Sequence, residues 1–320
     1  MPQQKSGIIV ILGPTASGKS DLAVKIAKNF NGEVISADSR QVYKGLDIGT
    51  GKITKKERHG VPHHLLDVAS PKRKFTVVQY RKLALKTIDE IFKKGKIPIL
   101  CGGTGFYIQA VVDGIVIPEV KPDWKLRKKL ENKSVKKLYQ ILKKLDPRRA
   151  KTIEKENPRR LIRAIEIVLK TKKPVPVFQK NPLPYPVLML GIKKQDKELK
   201  NLIKKRFLKW LKIGLITEVK KIRKSGISWK RIEEFGLHYQ VIAQYLPEPQ
   251  RRVKKRIYPL WLQGKLIYRK MIENSLNELE NYAKRQMTWW KSDKRIRWIK
   301  NYKQAEKLSR EFFFGNGKAR

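Results

Sequence analysis

The feature that most constrains the fold is a glycine-rich turn between an apolar run and an amphipathic segment. The turn matches the pattern G-x-x-x-x-G-K-[ST] in full, with residues Gly13, Pro14, Thr15, Ala16, Ser17, Gly18, Lys19 and Ser20. Residues 7–12 before it suit a central parallel strand, and residues 21–30 after it have helical spacing. Backbone N–H groups in such a turn bind anions at a helix N-terminus. The segment therefore predicts a phosphate site in which Lys19 reaches the terminal phosphates and Ser20 binds Mg²⁺.

Strand-like and helix-like segments alternate beyond this turn. Residues 33–37 and 96–101 are expected to be further strands, and Thr76 is expected to cap a helix that runs to about Lys94. Residues 187–192 are expected to be the last strand of the core, because the sequence after them is almost wholly helical in pattern. This order predicts an α/β fold, a P-loop parallel sheet flanked by helices with a largely helical addition.

The charge of the chain points to a polyanionic partner. The sequence has 75 Lys and Arg against 28 Asp and Glu, a formal net charge of +47. A chain this basic repels itself unless a polyanion shares its surface, and nucleic acid is the usual one.

The single cysteine, Cys101, excludes an intramolecular disulfide framework and a cysteine-based zinc site. Without a signal-peptide pattern or an apolar stretch of ~20 residues, we expect a soluble, cytoplasmic protein with no membrane contact.

The phosphate-binding turn does not by itself identify the phosphate ligand. ATPases with this loop usually have a second acidic residue at the end of a later strand, where it helps to hold the metal. The candidate strand here runs into Gly102-Gly103-Thr104 and supplies no Asp. This argues against an ATP motor or a helicase, and leaves small-molecule kinases open.

A block after the second strand resembles a known family. The segment Asp38-Ser39-Arg40-Gln41-Val42-Tyr43, followed by Asp47-Ile48-Gly49-Thr50, is similar to a block of the tRNA dimethylallyltransferases. Further blocks agree in order at residues 62–67, 102–107, 157–166 and 282–289. The resemblance extends from the phosphate-binding turn to about Trp290, most of the chain.

The resemblance implies a reaction and roles for particular residues. The family transfers a dimethylallyl group from dimethylallyl diphosphate to N6 of the adenosine 3′ to the anticodon of tRNA. Asp38 matches the family's general base, and Thr104 matches a residue of its reaction channel. Arg206 matches an arginine at the diphosphate, where it would stabilise the leaving group together with Lys19 and Mg²⁺.

The resemblance also implies a set of tRNA-contacting residues. They are Asp38, Ser39, Arg40, Gln41, Thr104, Arg127, Arg159, Arg160, Leu161, Ile162, Arg163, Lys284, Arg285 and Gln286. A solvated charged face is the alternative interpretation of Arg159, Arg160 and Arg163. The block at residues 235–240 departs from the family pattern, because Gln240 stands where an arginine is usual.

We expect two parts in the chain, acting as a monomer. Residues 1–195 would form the P-loop core with a helical excursion at about 121–156, and residues 196–320 would form a helical, tRNA-contacting region.

Two other classes of function share some of these features. A P-loop kinase of a nucleoside or small metabolite would not need the basic helical third of the chain. A non-catalytic nucleic-acid-binding module would not need an intact Gly18-Lys19-Ser20.

Overall fold

The centre of the structure is a parallel β-sheet. The computed structural model describes residues 6–115, 120–176, 180–246 and 260–315. Its strands are β1 (Ile8–Leu12), β2 (Gly32–Ser36), β3 (His63–His64), β4 (Ile97–Gly102), β5 (Val187–Ile192) and β6 (Ile296–Ile299). They form one sheet in the order β3-β2-β4-β1-β5-β6, with every neighbouring pair parallel. The predicted P-loop parallel sheet is confirmed.

Helices make up much of the rest of the described chain. They are α1 (Lys19–Asn29), α2 (Lys55–Arg58), α3 (Val77–Lys93), α4 (Gly105–Val112), α5 (Trp124–Glu131), α6 (Val135–Leu145), α7 (Pro147–Thr152), α8 (Pro158–Thr171), α9 (Asp196–Lys212), α10 (Leu215–Lys224), α11 (Trp229–Glu233), α12 (Leu237–Tyr245), α13 (Leu260–Trp290) and α14 (Tyr302–Phe314). Within the described ranges, none of them combines the length and the apolar character needed to cross a bilayer.

β1 is an inner strand of the sheet, and its side chains are buried on both faces. Ile8, Val10 and Leu12 lie in one apolar cluster, which also includes residues of α3, α4, α9 and α12. Ile9 and Ile11 lie in a second cluster on the opposite face, with residues of α1 and α14. Each such buried side chain stabilises the fold by about 1.5–3 kcal/mol, which explains the continuous apolar run.

The N-terminus of α3 follows the sequence prediction. The Thr76 hydroxyl accepts from the backbone N–H of Gln79, and the Gln79 side chain accepts from the backbone N–H of Thr76. This reciprocal capping box satisfies two N–H groups that the first helical turn leaves unpaired. Gly95, just beyond the helix, has a positive φ of 67°.

The expectation that residues 187–192 form the last strand was wrong. β6 pairs in parallel with β5, with Met189 opposite Ile296 and Ile192 opposite Ile299. In β6 the two isoleucines are buried and the Arg297 and Trp298 between them are exposed. A strand of four residues without strict alternation lacks the pattern by which strands are identified in a sequence.

The compact units differ from the expected division at residue 195. One unit comprises Met1–Val112 with Leu183–Arg320, and the other comprises Asp113–Pro182. The helices after residue 195 belong to the first unit because Phe207, Trp210 and Leu215 pack in the same apolar cluster as β1. The second unit is longer than the helical excursion expected at 121–156. It includes α8, which lies beyond residue 156 and supplies much of the unit's separate apolar cluster.

Candidate active site

The phosphate-binding loop joins β1 to α1 through several residues with positive φ. Gly13 and Gly18 have φ values of 147° and 89°, and Ala16 has a left-handed φ of 62° that a side chain rarely adopts. Ser17 is buried, and among the described residues its hydroxyl has no hydrogen-bond partner. A strained loop with an unpartnered hydroxyl at a helix N-terminus is suited to an anion.

Lys19 is the cation at the centre of this loop. Its ammonium donates to the carbonyl oxygen of Pro14 at 2.5 Å. Its pKa is lowered to about 8, mainly by burial and in smaller part by the charge of Arg206, while Cys101 and Asp38 oppose the shift. A bound diphosphate would favour the charged ammonium and raise this pKa.

Arg206 reaches the same region from α9. Its guanidinium lies 5.1 Å from the ring of Trp210 and donates a long 3.4 Å hydrogen bond to the carbonyl of Gly51. Burial lowers its pKa, and the charge of Asp38 opposes this. The structure thus brings together Lys19, Arg206 and Asp38, three charges predicted from separate parts of the sequence.

Asp38 follows β2 at the carboxyl end of the sheet. One of its oxygens, Oδ1, accepts from the backbone N–H of Arg40 at 2.8 Å and of Gln41 at 3.4 Å. The Thr104 hydroxyl accepts from the backbone N–H of Ser39 at 3.0 Å. These bonds fix the turn that presents the carboxylate, and Thr104 is part of that support.

The turn after β2 and the end of β4 approach each other closely. The backbone N–H of Thr104 donates to the carbonyl of Ala37 at 3.1 Å. A Cβ at Gly102 would lie 2.2 Å from that same carbonyl oxygen. Glycine is therefore required at position 102 for Thr104 to support the Asp38 turn.

A pocket opens beside Asp38 and the phosphate-binding loop. Its volume is about 410 Å³, including the part that is open to solvent. The residues that line it are Thr15, Asp38, Arg40, Gly49, Thr50, Trp210, Phe235, Leu237, His238, Tyr239, Leu279 and Tyr282. This combination of charged or polar groups with aromatic rings suits a ligand with a charged head and an apolar tail.

The loop that carries Gly49 and Thr50 is held by a carboxylate that the sequence prediction missed. Glu218 accepts hydrogen bonds from the backbone N–H groups of Asp47, Ile48 and Gly49 at 2.6–3.1 Å. It also accepts from the hydroxyl of Tyr239 at 2.6 Å. Four donors on one buried carboxylate fix this wall of the pocket.

Two predicted tRNA-contacting residues near the pocket have structural partners. Gln286 is buried; its Oε1 accepts from the backbone N–H of Thr15, and its Nε2 donates to the carbonyl of Gly103. Gln41 accepts from the Ser36 hydroxyl and donates to the carbonyl of Thr50. Both amides brace the site from within, and Gln286 supports the phosphate-binding loop.

The remaining predicted residues of the first unit lie at its surface or at the pocket. Lys284 and Arg285 are exposed on α13, and Arg285 makes a long 3.9 Å ion pair with Glu278. Arg40 lines the pocket and donates to the carbonyl of Phe235. Ser39 is half-buried beside Thr104. These positions leave Lys284 and Arg285 accessible to a polyanion.

The second unit contains the other predicted tRNA-contacting residues. Leu161 and Ile162 are 0% and 6% exposed in its apolar core, so their side chains cannot contact RNA and the expectation for them is corrected. Arg127 and Arg163 both pair with the fully buried Glu166. The apolar spacing of α8 already indicated which face is buried.

Arg159 and Arg160 lie on the exposed face of α8. Arg160 makes a 3.2 Å ion pair with Glu154, in which both side chains are about half exposed. Such a surface pair contributes little to stability and breaks easily in favour of a phosphate. These two arginines are therefore the members of the predicted set in this unit whose charge remains available.

The described part of the chain shows where a metal ligand and the single thiol lie. No group of three or more His, Cys, Asp or Glu side chains converges there in a metal-binding arrangement. The Ser20 hydroxyl, half-buried in the first turn of α1, is a hard oxygen donor of the kind that Mg²⁺ uses alongside phosphate oxygens and water. Burial raises the pKa of the Cys101 thiol to about 12, which disfavours the reactive thiolate.

Comparison with known proteins agrees with this geometry. Residues 41–293 match the model of the IPP transferase family. The chain is 40% identical over 300 residues to the tRNA dimethylallyltransferase of Acetivibrio thermocellus, covering 91% of each chain. It is 38% identical over 316 residues to that of a Thermoanaerobacter species, covering 95% of each.

Solved structures give the same result. The tRNA isopentenylpyrophosphate transferase of Bacillus halodurans matches with a TM-score of 0.66 and 34% identity, covering 95% of both chains. A eukaryotic dimethylallyltransferase described as acting on tRNA matches with a TM-score of 0.76 and 27% identity, covering 96% of this chain and 79% of the other. The chain therefore belongs to the IPP transferase family of tRNA dimethylallyltransferases and transfers a dimethylallyl group to tRNA.

Proposed function

We propose that the donor is dimethylallyl diphosphate, that the acceptor is N6 of the adenosine 3′ to the anticodon, and that Asp38 is the general base. The observation that supports this most directly is the shared pocket. The carboxylate of Asp38 lines it together with Thr15 of the phosphate-binding loop. A base and a diphosphate site within one pocket suit a transfer in which a proton leaves one substrate and diphosphate leaves the other.

The diphosphate is held by the phosphate-binding loop in this proposal. Backbone N–H groups and the free Ser17 hydroxyl bind its oxygens, and Lys19 and Arg206 supply positive charge. As the bond between C1 of the prenyl group and its oxygen breaks, negative charge develops on oxygens already next to these cations. Preorganised charge of this kind lowers the barrier by several kcal/mol, on the order of 3–4 per strong donor.

Members of the family generally use a divalent metal. Mg²⁺ fits the residues present, because Ser20 offers a hydroxyl at the helix N-terminus and diphosphate oxygens and water can complete the coordination. The ion would neutralise part of the charge on the leaving diphosphate.

Asp38 takes the proton that N6 loses as the new carbon–nitrogen bond forms. An exocyclic adenine amine is a poor nucleophile, so its attack needs a base. Oδ1 of Asp38 is occupied by the backbone N–H groups of Arg40 and Gln41, which hold the carboxylate in place. Thr104 stabilises the same turn through Ser39, which gives it a positioning role in this chemistry.

The tRNA backbone would be bound by exposed cations. Lys284 and Arg285 on α13, and Arg159 and Arg160 on α8, are accessible and belong to a chain with a net charge of +47. Arg127 and Arg163 are engaged by Glu166 and contribute less free charge. We extend the proposal to a monomer acting in the cytoplasm.

One experiment tests the proposal against its alternatives. The full chain is incubated with a tRNA anticodon stem-loop, Mg²⁺ and either labelled dimethylallyl diphosphate or labelled ATP. We expect a prenylated adenosine with the first donor and no phosphorylated product with ATP. Transfer of phosphate to a nucleoside would support a kinase, and the absence of both products would leave a binding module.

A further inference from the structure

One face of α13 is turned towards the active site. Leu279 and Tyr282 line the pocket, and Gln286, one turn further on, braces the phosphate-binding loop. Spacings of three and four residues put these side chains on the same side of the helix. Tyr282 is the member of this face whose polar group has no role in the chemistry proposed so far.

The hydroxyl of Tyr282 lies near the turn that presents the proposed base. Burial raises the pKa of Tyr282 and the charge of Asp38 raises it further, while the charge of Arg40 and a side-chain hydrogen bond with Thr104 lower it. The Thr104 hydroxyl in turn accepts from the backbone N–H of Ser39 at 3.0 Å, and Ser39 directly follows Asp38. Two short contacts thus connect the phenol to the residue next to the base.

The phenol is a hydrogen-bond donor throughout the working pH range, because its raised pKa keeps it un-ionised. The contact with Thr104 lowers the pKa of Tyr282, as a donor to the phenol oxygen does, and so leaves the phenol its own hydrogen. Asp38 acts on the phenol through its charge and not through a hydrogen bond. Tyr282 is half-buried, and its hydroxyl is not one of the described polar atoms that are sealed from solvent without a partner. A ligand in the pocket can therefore accept this hydrogen.

We propose that Tyr282 recognises the acceptor base by donating its hydroxyl hydrogen to one of the two ring nitrogens, N1 or N7, that flank the reacting amine of adenine. This inference rests on the proposed function, which places the N6 amine at Asp38. An amine beside a ring acceptor is the pattern by which bidentate side chains identify adenine. Here the two halves of that reading are divided: Asp38 accepts from N6, and Tyr282 donates to the neighbouring nitrogen.

A second contact on the base also explains how the amine is aimed. A single contact at N6 leaves the base free to turn about that point, whereas two contacts on one edge fix its rotation. The amine is then held towards both the base Asp38 and the carbon that it attacks, and orientation of this kind contributes directly to rate.

The test replaces single atoms of the acceptor base. Anticodon stem-loops are synthesised with adenosine, 1-deazaadenosine or 7-deazaadenosine at the acceptor position, so that a C–H group takes the place of N1 or N7. The value of kcat/KM for each stem-loop is measured with the full wild-type chain and with Tyr282→Phe, which keeps the ring and loses the hydroxyl. Each analogue alters the reactivity of the amine equally in both enzymes, so comparing the two enzymes isolates the hydrogen bond.

For one of the two analogues, we expect the ratio of kcat/KM for adenosine to that for the analogue to be roughly tenfold larger in the wild type than in Tyr282→Phe. For the other analogue the ratio should be the same in both enzymes. The analogue that responds identifies the nitrogen that accepts the hydrogen bond.

Tyr268→Phe is the matched control. Tyr268 lies on the same helix, is 45% exposed and does not line the pocket, so both ratios should equal those of the wild type. Ratios that are the same in wild type and Tyr282→Phe for both analogues overturn the inference. This holds even if the variant is slower with all three stem-loops, because a uniform loss means that the phenol only supports the Asp38 turn. A wild-type chain that does not prenylate the adenosine stem-loop would instead refute the proposed function.

Discussion

The backbone N–H of Thr15 donates a 2.8 Å hydrogen bond to the side chain of Gln286, 271 residues further along the chain. The side-chain nitrogen Nε2 of Gln286 donates to the carbonyl of Gly103 at 2.9 Å. Gln286 thus joins the phosphate-binding loop to the end of β4 from the last turns of α13. A Cβ at position 103 would lie 2.1 Å from Nε2 of Gln286. The contact between Gln286 and the carbonyl at position 103 therefore requires glycine there.

Gln286→Ala should weaken donor binding with a smaller effect on tRNA affinity. The change leaves the Thr15 N–H and the Gly103 carbonyl without their partner, and loosens a loop whose geometry binds diphosphate. We expect the affinity for dimethylallyl diphosphate to fall roughly tenfold, the equivalent of about one lost buried hydrogen bond. Isothermal titration with the diphosphate measures this. Asn281→Ala, at an exposed position of the same helix, is the control; an equal loss there would contradict the bracing role.

The role of Asp38 is tested by an isosteric change. In Asp38→Asn the amide oxygen can still accept from the backbone N–H groups of Arg40 and Gln41, so the turn should persist. An amide cannot accept the N6 proton, and loss of a general base typically costs ~100–10,000-fold in rate. Single-turnover rates, measured beside donor and tRNA binding, should show slow chemistry with near-normal affinities.

Lys19→Ala is the contrast to Asp38→Asn. It removes a cation from the diphosphate site and should impair donor binding and leaving-group stabilisation together. If Asp38 were chiefly a metal anchor, Asp38→Asn would instead raise the donor KM in a Mg²⁺-dependent way. Near-normal single-turnover chemistry in that variant would end the assignment of Asp38 as the base.

The strongest sequence predictions concern local patterns. The phosphate-binding loop, its strand and its helix are contiguous, so their geometry follows from a single segment. Asp38 and Arg206 were assigned by resemblance to a family, and the structure brings both near Lys19. Residues that act through packing could not be identified in this way. Glu218 becomes visible only when its helix lies over the loop at 47–49, 169 to 171 residues earlier.

The corrections have a common cause in tertiary context. Leu161 and Ile162 lie inside an arginine-rich family block, of which the resemblance assigns residues 159–163 to tRNA. The helical period separates its faces, however: Arg159 and Arg160 point outward, and the two apolar side chains pack inward. β6 was missed because a four-residue strand becomes stable only by pairing with β5.

Donor use should depend on the ionisation of Lys19. Burial lowers the pKa of this ammonium to about 8, so it is charged below that pH and loses its charge as the pH rises through it. A charged Lys19 favours the diphosphate, and kcat/KM for the donor should therefore fall above pH 8. Lys19→Arg keeps a positive charge at high pH, since arginine has a pKa above ~12. The decline should be absent in this variant, and a wild-type profile that stays flat well past pH 8 would contradict the assignment.

Two arginine changes on α8 should separate RNA binding from stability. Arg159 is exposed, and its replacement by Ala should weaken tRNA binding and reduce the slope of log affinity against log salt by about 0.7–0.9. Arg163 pairs with Glu166, whose side chain is 0% exposed. Breaking such a pair leaves a buried charge with one partner fewer, and costs about 3 kcal/mol.

The two variants should therefore have opposite signatures. Arg159→Ala should leave the urea unfolding midpoint unchanged and lower the salt slope, because a solvated arginine contributes little to folding. Arg163→Ala should lower the unfolding midpoint and change the salt slope less, because its charge is already engaged by Glu166 and by the carbonyl of Val120 at 3.0 Å. Filter binding across a salt series and urea unfolding measure the two effects. If Arg163→Ala reduced the salt slope as much as Arg159→Ala at unchanged stability, Arg163 would be an RNA contact and the ion pair incidental.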